Sequence, residues 1–443
     1  MTRGQKSTLL VTVAAAVGTA SLLVARPAAA EVILLHQDDG WQLSTDGRVN
    51  AFLSMAVGTG IPDEPDALGA GTNDTKDSMK GLHSARVRNG FIPSVLGFTL
   101  QREYSPNFKV TARAALWMNI SGSRTRNIAG NMDPRELYVK MEGRWGSLLA
   151  GSDLDLFGRG GILVDASIAH NYGLGYPCSI RDASGGACGM VGFGAPFPGF
   201  DAGLIYATPN LGGLQLSLGL YDPATIDNAS LNRAPLPRFE GEVKFDYKEL
   251  FRVFASGFWQ VLEGTVPDNS VPGVFRQKDL HVNGWGAQAG AMLAMGPIML
   301  GGAAYQGAGF SAITYLDESP TTADATRTLR NSRGAFGLAA LVLREQKFKI
   351  AGGAGIFQFE KSKNDPALGS PGGATTLRQN LGLTVGVYQT VGVVHLALEY
   401  FRAQHTWNDR AIADPMDANL PPIGRETPSQ AVNFINAGAT IAW

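Results

Sequence analysis

Seven charged side chains and two thiols are the groups in this chain whose chemistry and placement suggest a site. Arg48, Arg86, Arg88 and Arg113 lie in stretches of alternating polar and apolar residues. Asp153, Asp155 and Asp165, with Arg159 between them, open a long irregular stretch that also carries Cys178 and Cys188. Carboxylates held opposite guanidinium groups across a confined space make a transverse field. Such a field orients dipolar water and solutes, penalises apolar ones and tunes ion preference. The bland alternative is that the same charges pair locally or solvate a surface. Nothing here points to bond-making chemistry. The six histidines, His36, His83, His170, His281, His395 and His405, show no ligand spacing, so neither a metal nor a cofactor is expected. Gly158-Arg159-Gly160-Gly161 is too short for a phosphate loop and lacks its lysine.

The two ends of the chain indicate what holds these groups. Arg3 and Lys6 precede an apolar run from Leu9 to Val24, and Ala28-Ala29-Ala30 supplies small residues for cleavage. That is the layout of a secretory signal peptide over residues 1–30. Arg26-Pro27 interrupts the run, and no later stretch reaches the roughly 18 unbroken apolar residues of a spanning helix. Export makes Cys178 and Cys188 candidates for a disulfide, which would stabilise their short loop by about 2–3 kcal/mol. Metal binding by two thiols without a nearby histidine is the weaker reading. At the far end Ile435, Ala437, Ala439, Ile441 and Trp443 share one face of a period-two pattern. A soluble edge strand could end so. The last strand of a membrane barrel, with an aromatic ring at headgroup level, explains it better.

Composition does not decide between these. Charged residues make up 17% of the 443, as expected if an oily outside and a wet inside average out. Removing residues 1–30 leaves 34 basic against 38 acidic groups, which excludes a strongly basic nucleic-acid binder. Periodicity does decide. Leu43, Val49, Ala51, Leu53, Met55 and Val57 oppose Gln42, Ser44, Asp46, Arg48, Asn50 and Ser54. Phe108, Val110, Ala112, Ala114, Leu116 and Met118 oppose Lys109, Thr111, Arg113 and Asn119. Arg238, Glu240, Glu242, Lys244 and Asp246 form the charged face of another such segment. The alternation is too strict for helix and too charged for a sheet buried on both faces.

Sixteen strands are predicted, near 41–57, 85–101, 108–120, 135–142, 147–152, 201–208, 214–221 and 238–247, then 251–261, 282–294, 298–307, 332–343, 348–359, 377–388, 392–402 and 431–443. Tight turns such as Met295-Gly296-Pro297 alternate with long loops rich in Gly, Pro, Asp and Asn. The expected fold is therefore all-β: one transmembrane antiparallel barrel over residues 31–443, with short periplasmic turns and long extracellular loops. Trp41, Phe108, Trp145, Phe251, Phe348 and Trp443 fall at the short-turn ends, as an interfacial girdle would. Arg48 and Arg113 then sit mid-strand on the inward face. Pro93 disturbs the second strand, whose apolar face shifts from Val87 and Phe91 to Leu96, Phe98 and Leu100. The direction of Arg86 and Arg88 is left open by that shift.

Tyr206-Ala207-Thr208-Pro209-Asn210-Leu211-Gly212-Gly213-Leu214 resembles the Tyr-x-Ser-Pro-x-x-x-Gly hairpin of Gram-negative general porins, with threonine in place of serine. Arg135-Glu136-Leu137-Tyr138-Val139 and Trp145-Gly146-Ser147-Leu148-Leu149-Ala150-Gly151 resemble their fourth and fifth strands. Where those porins have Gly-Arg after the fifth strand this chain has Gly151-Ser152, so no arginine carries over there. The resemblance covers the mature chain in topology and is to sixteen-stranded porins, not to one member. It implies a bacterial outer-membrane channel for passive diffusion of small hydrophilic solutes and ions. It also implies a homotrimer surrounded by outer-membrane lipid and a barrel-assembly machinery that reads Trp443 as a C-terminal insertion signal. Residues 153–200 become the third outer loop, folded inward to narrow a lumen that would otherwise be wide. Arg48, Arg86, Arg88, Arg113, Asp153, Asp155 and Asp165 become candidate residues of the pore constriction.

Two rivals stay open. A substrate-selective channel, of anion, sugar or amino-acid type, would show an inward aromatic ladder or a dense pocket of one charge, and neither is clear from the sequence. A barrel enzyme or adhesin would need a catalytic cluster or an added domain. Residues 31–40 are too few for such a domain, inward parity of His395 argues against a lipid-facing hydrolase triad, and no catalytic residue is expected.

Overall fold

The computed structural model describes residues 32–59, 82–120, 132–164, 189–226, 231–248, 250–268, 276–310, 328–343, 347–362, 376–412 and 423–443. The expected signal peptide, Asp165, Cys178 and Cys188 lie outside the described residues.

The chain opens with β1 (Val32–His36), β2 (Trp41–Gly58), β3 (Leu82–Arg88), β4 (Ser94–Ser105), β5 (Phe108–Met118), β6 (Met132–Gly143) and β7 (Gly146–Ser152). After α1 (Leu156–Val164) come β8 (Ala202–Ala207), β9 (Leu214–Tyr221), β10 (Arg238–Tyr247), β11 (Phe251–Asp268), β12 (Arg276–Met295), β13 (Ile298–Ala308) and β14 (Asn331–Leu343). The remainder is β15 (Phe348–Phe359), β16 (Leu377–Val391), β17 (Val394–Trp407), the short ribbon β18 (Arg410–Ile412) and β19 (Gly424–Glu426), and β20 (Ser429–Ala442).

Neighbouring strands pair antiparallel around the sheet, and β20 returns to β2, with Arg48 opposite Ala442 and Gly58 opposite Val432. The sheet closes on itself. β3 and β4 are two pieces of a single strand beside β2. β1 takes over the edge of β2 where β20 stops, pairing Val32 with Thr45 and His36 with Gln42. Counted around the circumference, the barrel has 16 strands. Closure leaves no free edge, which is what hydrocarbon demands of a spanning sheet. Along β2 the outward Val49, Leu53, Met55 and Val57 are exposed, while the inward Asn50, Phe52, Ser54 and Ala56 are buried. No helix among the described residues is long and apolar enough to cross a membrane.

The break between β3 and β4 falls at the expected proline. Pro93 has no N–H to give the ladder, and the side chain of Asn50 fills the gap. Its Nδ2 donates to the carbonyl of Ile92 at 2.8 Å, and its Oδ1 accepts the N–H of Gly90 at 3.0 Å. The outward face shifts across the break, from Val87 to Phe98 and Leu100. Aromatics gather at the short-turn ends: Trp41 meets Tyr104 at 6.4 Å, Tyr104 meets Phe108 at 5.9 Å, and Trp145 stacks on Tyr206 at 6.3 Å.

Three short strands were not expected from the sequence: β1, β18 and β19. β11 and β12 also run further than the periodicity indicated, to Asp268 and from Arg276. A larger departure concerns the interior. Phe52, Phe254, Phe336, Phe401 and Phe434 point inward and are buried in one apolar cluster with Val164, Met190 and Phe193. The lumen is not uniformly wet.

Candidate channel constriction

Past β7 the chain turns away from the wall, and Asp155 finds its ion-pair partner, Arg238, inside the barrel. Asp155 donates its N–H to the carbonyl of Gly199 at 2.9 Å and accepts the N–H of Asp201 at 3.0 Å, stitching the two arms of the 153–201 connection at their base. α1 follows, interrupted at Phe157 and at Gly158, whose φ of +87° is left-handed backbone that favours glycine. The Phe157 ring packs on Phe258 at 4.9 Å and Phe310 at 5.8 Å, on the inner walls beyond β10. The other arm docks on the far side: the carbonyl of Gly192 accepts Asn380 Nδ2 at 3.0 Å, and Phe193 lies 5.2 Å from Phe401. Two wall glycines admit this backbone. A Cβ at Gly301 would lie 1.9 Å from the Val164 carbonyl oxygen, and one at Gly355 would lie 1.9 Å from that of Phe193.

Ion pairs fix the loop to β10. Arg159 grips Glu242 with two bonds, Nε to Oε2 at 3.0 Å and Nη2 to Oε1 at 2.5 Å. Arg238 is the busier node. It donates to Asp155 at 2.8 Å, Asp201 at 2.8 Å and Glu240 at 2.9 Å, and lies 5.1 Å over the ring of Tyr221. Glu240 in turn accepts the N–H of Phe157 at 2.7 Å. Burial and the neighbouring Glu240 charge hold the Asp155 carboxyl well above the ordinary carboxylate range, against the pull of Arg238. Burial and then Glu136 push the Asp153 carboxyl up to about 6, opposed by the Leu154 N–H and by the charges of Arg159 and Arg113. The charge of Asp153 therefore fades as the pH falls toward 6.

The expected residues divide into separate groups. Arg113 points inward as its parity requires, and is clamped by Asp46 at 2.6 Å and by Glu136 on the adjacent strand. Arg48 lines the same cavity as Asp46, Arg113 and Glu136. Asp153 lies within electrostatic reach of this cluster, whereas Asp155 belongs to Arg238. Arg86 and Arg88 are inward, opposite Ser54 and Phe52, and Arg88 donates to Asn436 at 3.2 Å. Glu242 and Arg238 were visible only as members of a polar face. That the loop would reach them was not, since no local pattern encodes contacts across a lumen.

Arg135 was missed for a different reason. Its parity with the outward Leu137 and Val139 places it toward lipid. A β-bulge changes this: Glu136 pairs with Ala115 but Asp133 with Trp117, so Pro134 and Arg135 together oppose one residue of β5. Bulges re-aim side chains, and Arg135 turns inward to lie against Trp117 at 5.0 Å and Phe200 at 5.3 Å. The proline and an arginine on an otherwise oily face were the available signals.

A closed strand barrel crossed by an inward loop is the architecture of an outer-membrane channel. The family model described as Gram-negative porin matches residues 12–443, and the chain belongs to that family in the bacterial outer membrane. Among solved structures it is similar to the outer membrane channel DcaP of Acinetobacter baumannii, at 13% identity over 91% of this chain and 99% of that one, with a TM-score of 0.58. It is also similar to an anion-selective porin from Comamonas acidovorans, at 13% identity over 91% and 100%, with a TM-score of 0.55. In-vitro folded OmpT of Vibrio cholerae gives 13% identity over 93% and 99%, with a TM-score of 0.51. No curated protein sequence matches. At such identities these likenesses speak for the sixteen-stranded fold.

Proposed function

We propose that the chain forms a water-filled channel for passive diffusion of small hydrophilic solutes and ions, narrowed by the 153–201 connection. The observation that carries this reading is the loop's anchorage on the inner wall through the Arg159–Glu242 pair and the Arg238 node. A confined path between fixed charges focuses their field on whatever passes. We read Arg48, Arg86, Arg88, Arg113, Asp153, Asp155 and Asp165 as the charges of this constriction. Sequence and resemblance support four further proposals: a signal peptide at 1–30, a homotrimer, recognition of Trp443 by the assembly machinery, and a Cys178–Cys188 disulfide restraining the loop. Mass spectrometry of non-reduced digests should recover the two cysteine peptides joined. Free thiols in protein purified without reductant would rule the bond out.

Planar-bilayer recording in a KCl gradient tests the channel. Arg48→Gln with Arg113→Gln should move the reversal potential toward cations, because Asp46 and Glu136 lose their counter-charge. Neutralising Asp153, Asp155 and Asp165 to asparagine should move it toward anions. Unchanged reversal potentials in both sets would mean that the loop is only a lid.

A second reading, a substrate-selective channel, is favoured by the apolar lining that Phe91, Ile92, Val95, Ile162 and Phe197 give the cavity beside Arg48 and Arg113. A generally wet lumen has little use for such a wall. Selective passage of part-apolar solutes would use it.

A further inference from the structure

Arg135 lies at a junction. It lines an outer cavity with Asp133, Asp201 and Arg238, and an inner one with Arg48, Arg113 and Glu136. Phe197 and Phe200 of the returning loop arm border both cavities as well.

Its geometry is that of a receptor for a planar anion. Trp117 and Phe200, which meet each other edge to face at 5.1 Å, both lie against the guanidinium, which favours the cation and restrains it. Trp117 is itself oriented by its Nε1 bond to Glu136 at 3.2 Å. Asp133, on the same bulge, takes Nε at 2.7 Å. The two terminal amino groups have no hydrogen-bond partner among the described residues, and the side chain stays partly open to solvent. In-plane paired N–H donors match a carboxylate better than a halide or a sugar hydroxyl. The inner cavity beyond is mainly apolar: Phe91, Ile92, Val95, Leu154, Ile162 and Phe197 line it.

We propose that Arg135 and this apolar wall form a transit site for amphipathic monoanions, in which a carboxylate is joined to a flat apolar body. Resting on the substrate-selective reading above, the site binds the carboxylate on the terminal amino groups of Arg135 while the ring slides against Phe197 and Ile162. The bulge at Pro134 delivers one arginine to a place that strand alternation denies it. Arg135 is a specificity residue, separate from the Arg113–Asp46–Glu136 cluster whose charges bear on ion preference.

The test is block of KCl current through single channels in planar bilayers by sodium benzoate, with sodium acetate and benzylamine hydrochloride as comparisons. Benzoate should half-block at a concentration about tenfold or more below benzylamine, the range that one charge-assisted bidentate contact supplies, and about tenfold or more below acetate, which lacks the ring that the apolar wall buries. Arg135→Gln should raise the benzoate value about tenfold, weaken acetate block in the same direction, and leave benzylamine nearly unmoved. Phe197→Ala should bring benzoate toward acetate without altering acetate itself, and it keeps the test open should the arginine variant fail to assemble. Equal block by all three solutes, or none, would overturn the substrate-selective reading together with the site. Benzoate preference that survives in both variants would overturn the site alone.

Discussion

Replacing Arg238 by methionine is expected to widen and destabilise the conducting path: single-channel conductance rises and becomes noisy while the barrel still assembles. Arg238 is buried and holds Asp155, Glu240 and Asp201 together. Asp155 and Glu240 have no solvent to turn to. Stripping the cation from a buried charge cluster costs about 3–5 kcal/mol, mostly because the remaining carboxylates are left uncompensated. Part of the cost is avoided by protonating Asp155, whose carboxyl already sits above its ordinary range. The rest is avoided by releasing the loop, because Asp155 and Phe157 are tied to this node and the outer strand pairs are not. Adding Asp155→Asn and Glu240→Gln to the methionine variant removes the stranded charges and should return much of the quiet, narrow behaviour, the non-additivity expected of residues that act as a unit. Wild-type conductance and noise in the single variant would show that the loop is held by other contacts.

The second large effect is expected at the C-terminus. Trp443→Ala should lower the amount of heat-modifiable barrel in outer membranes several-fold, yet leave barrel purified from the remainder close to wild-type thermal stability. The backbone of Trp443 exchanges two bonds with Gly47, each 3.0 Å, and both survive loss of the ring. The ring packs on Gly47, near enough that a Cβ there would meet Cζ2 at 2.6 Å. That contact is partly open to the surroundings, so its removal costs the finished barrel little, whereas an assembly machinery that reads the aromatic loses its cue. Undiminished outer-membrane levels would show that the ring is not read.

Most of the barrel was legible because alternation is enforced on every spanning strand by lipid outside and polar groups or loop inside. The strand 238–247 was bounded by its charged face, and Pro93 marked the break that Asn50 repairs. What the alternation hid is instructive. Phe52 stands between Asn50 and Ser54 on the wet face, and Phe401 and Phe434 share parity with Glu399 and Asn436. Each was readable as inward, but only the inward loop, with Phe193 against Phe401, gives these rings a reason to be there. The site charges were legible as residues and not as partners. Asp155 could equally have faced Arg48; its choice of Arg238 follows from where the turn after β7 delivers it. Arg135 escaped because one inserted residue inverts the parity on which the reading depends. β1 and the β18–β19 ribbon are too short for periodicity to register.

Closure by β2 and β20 also sets the order in which this molecule can come into being. Every other seam of the cylinder joins strands near in sequence, whereas Arg48 must find Ala442 and Gly58 must find Val432. The loop-entropy term grows only logarithmically, so this last seam costs about 4 kcal/mol more than a hairpin of a few residues. Its cost in time is heavier, since distant contacts slow folding by orders of magnitude. The edge of β2 facing β20 thus stays unsatisfied until the final strand arrives, and an unpaired edge is prone to aggregate. β1, folding back on β2 within a few residues of its start, covers the first stretch of that same edge long before the far end of the chain can reach it.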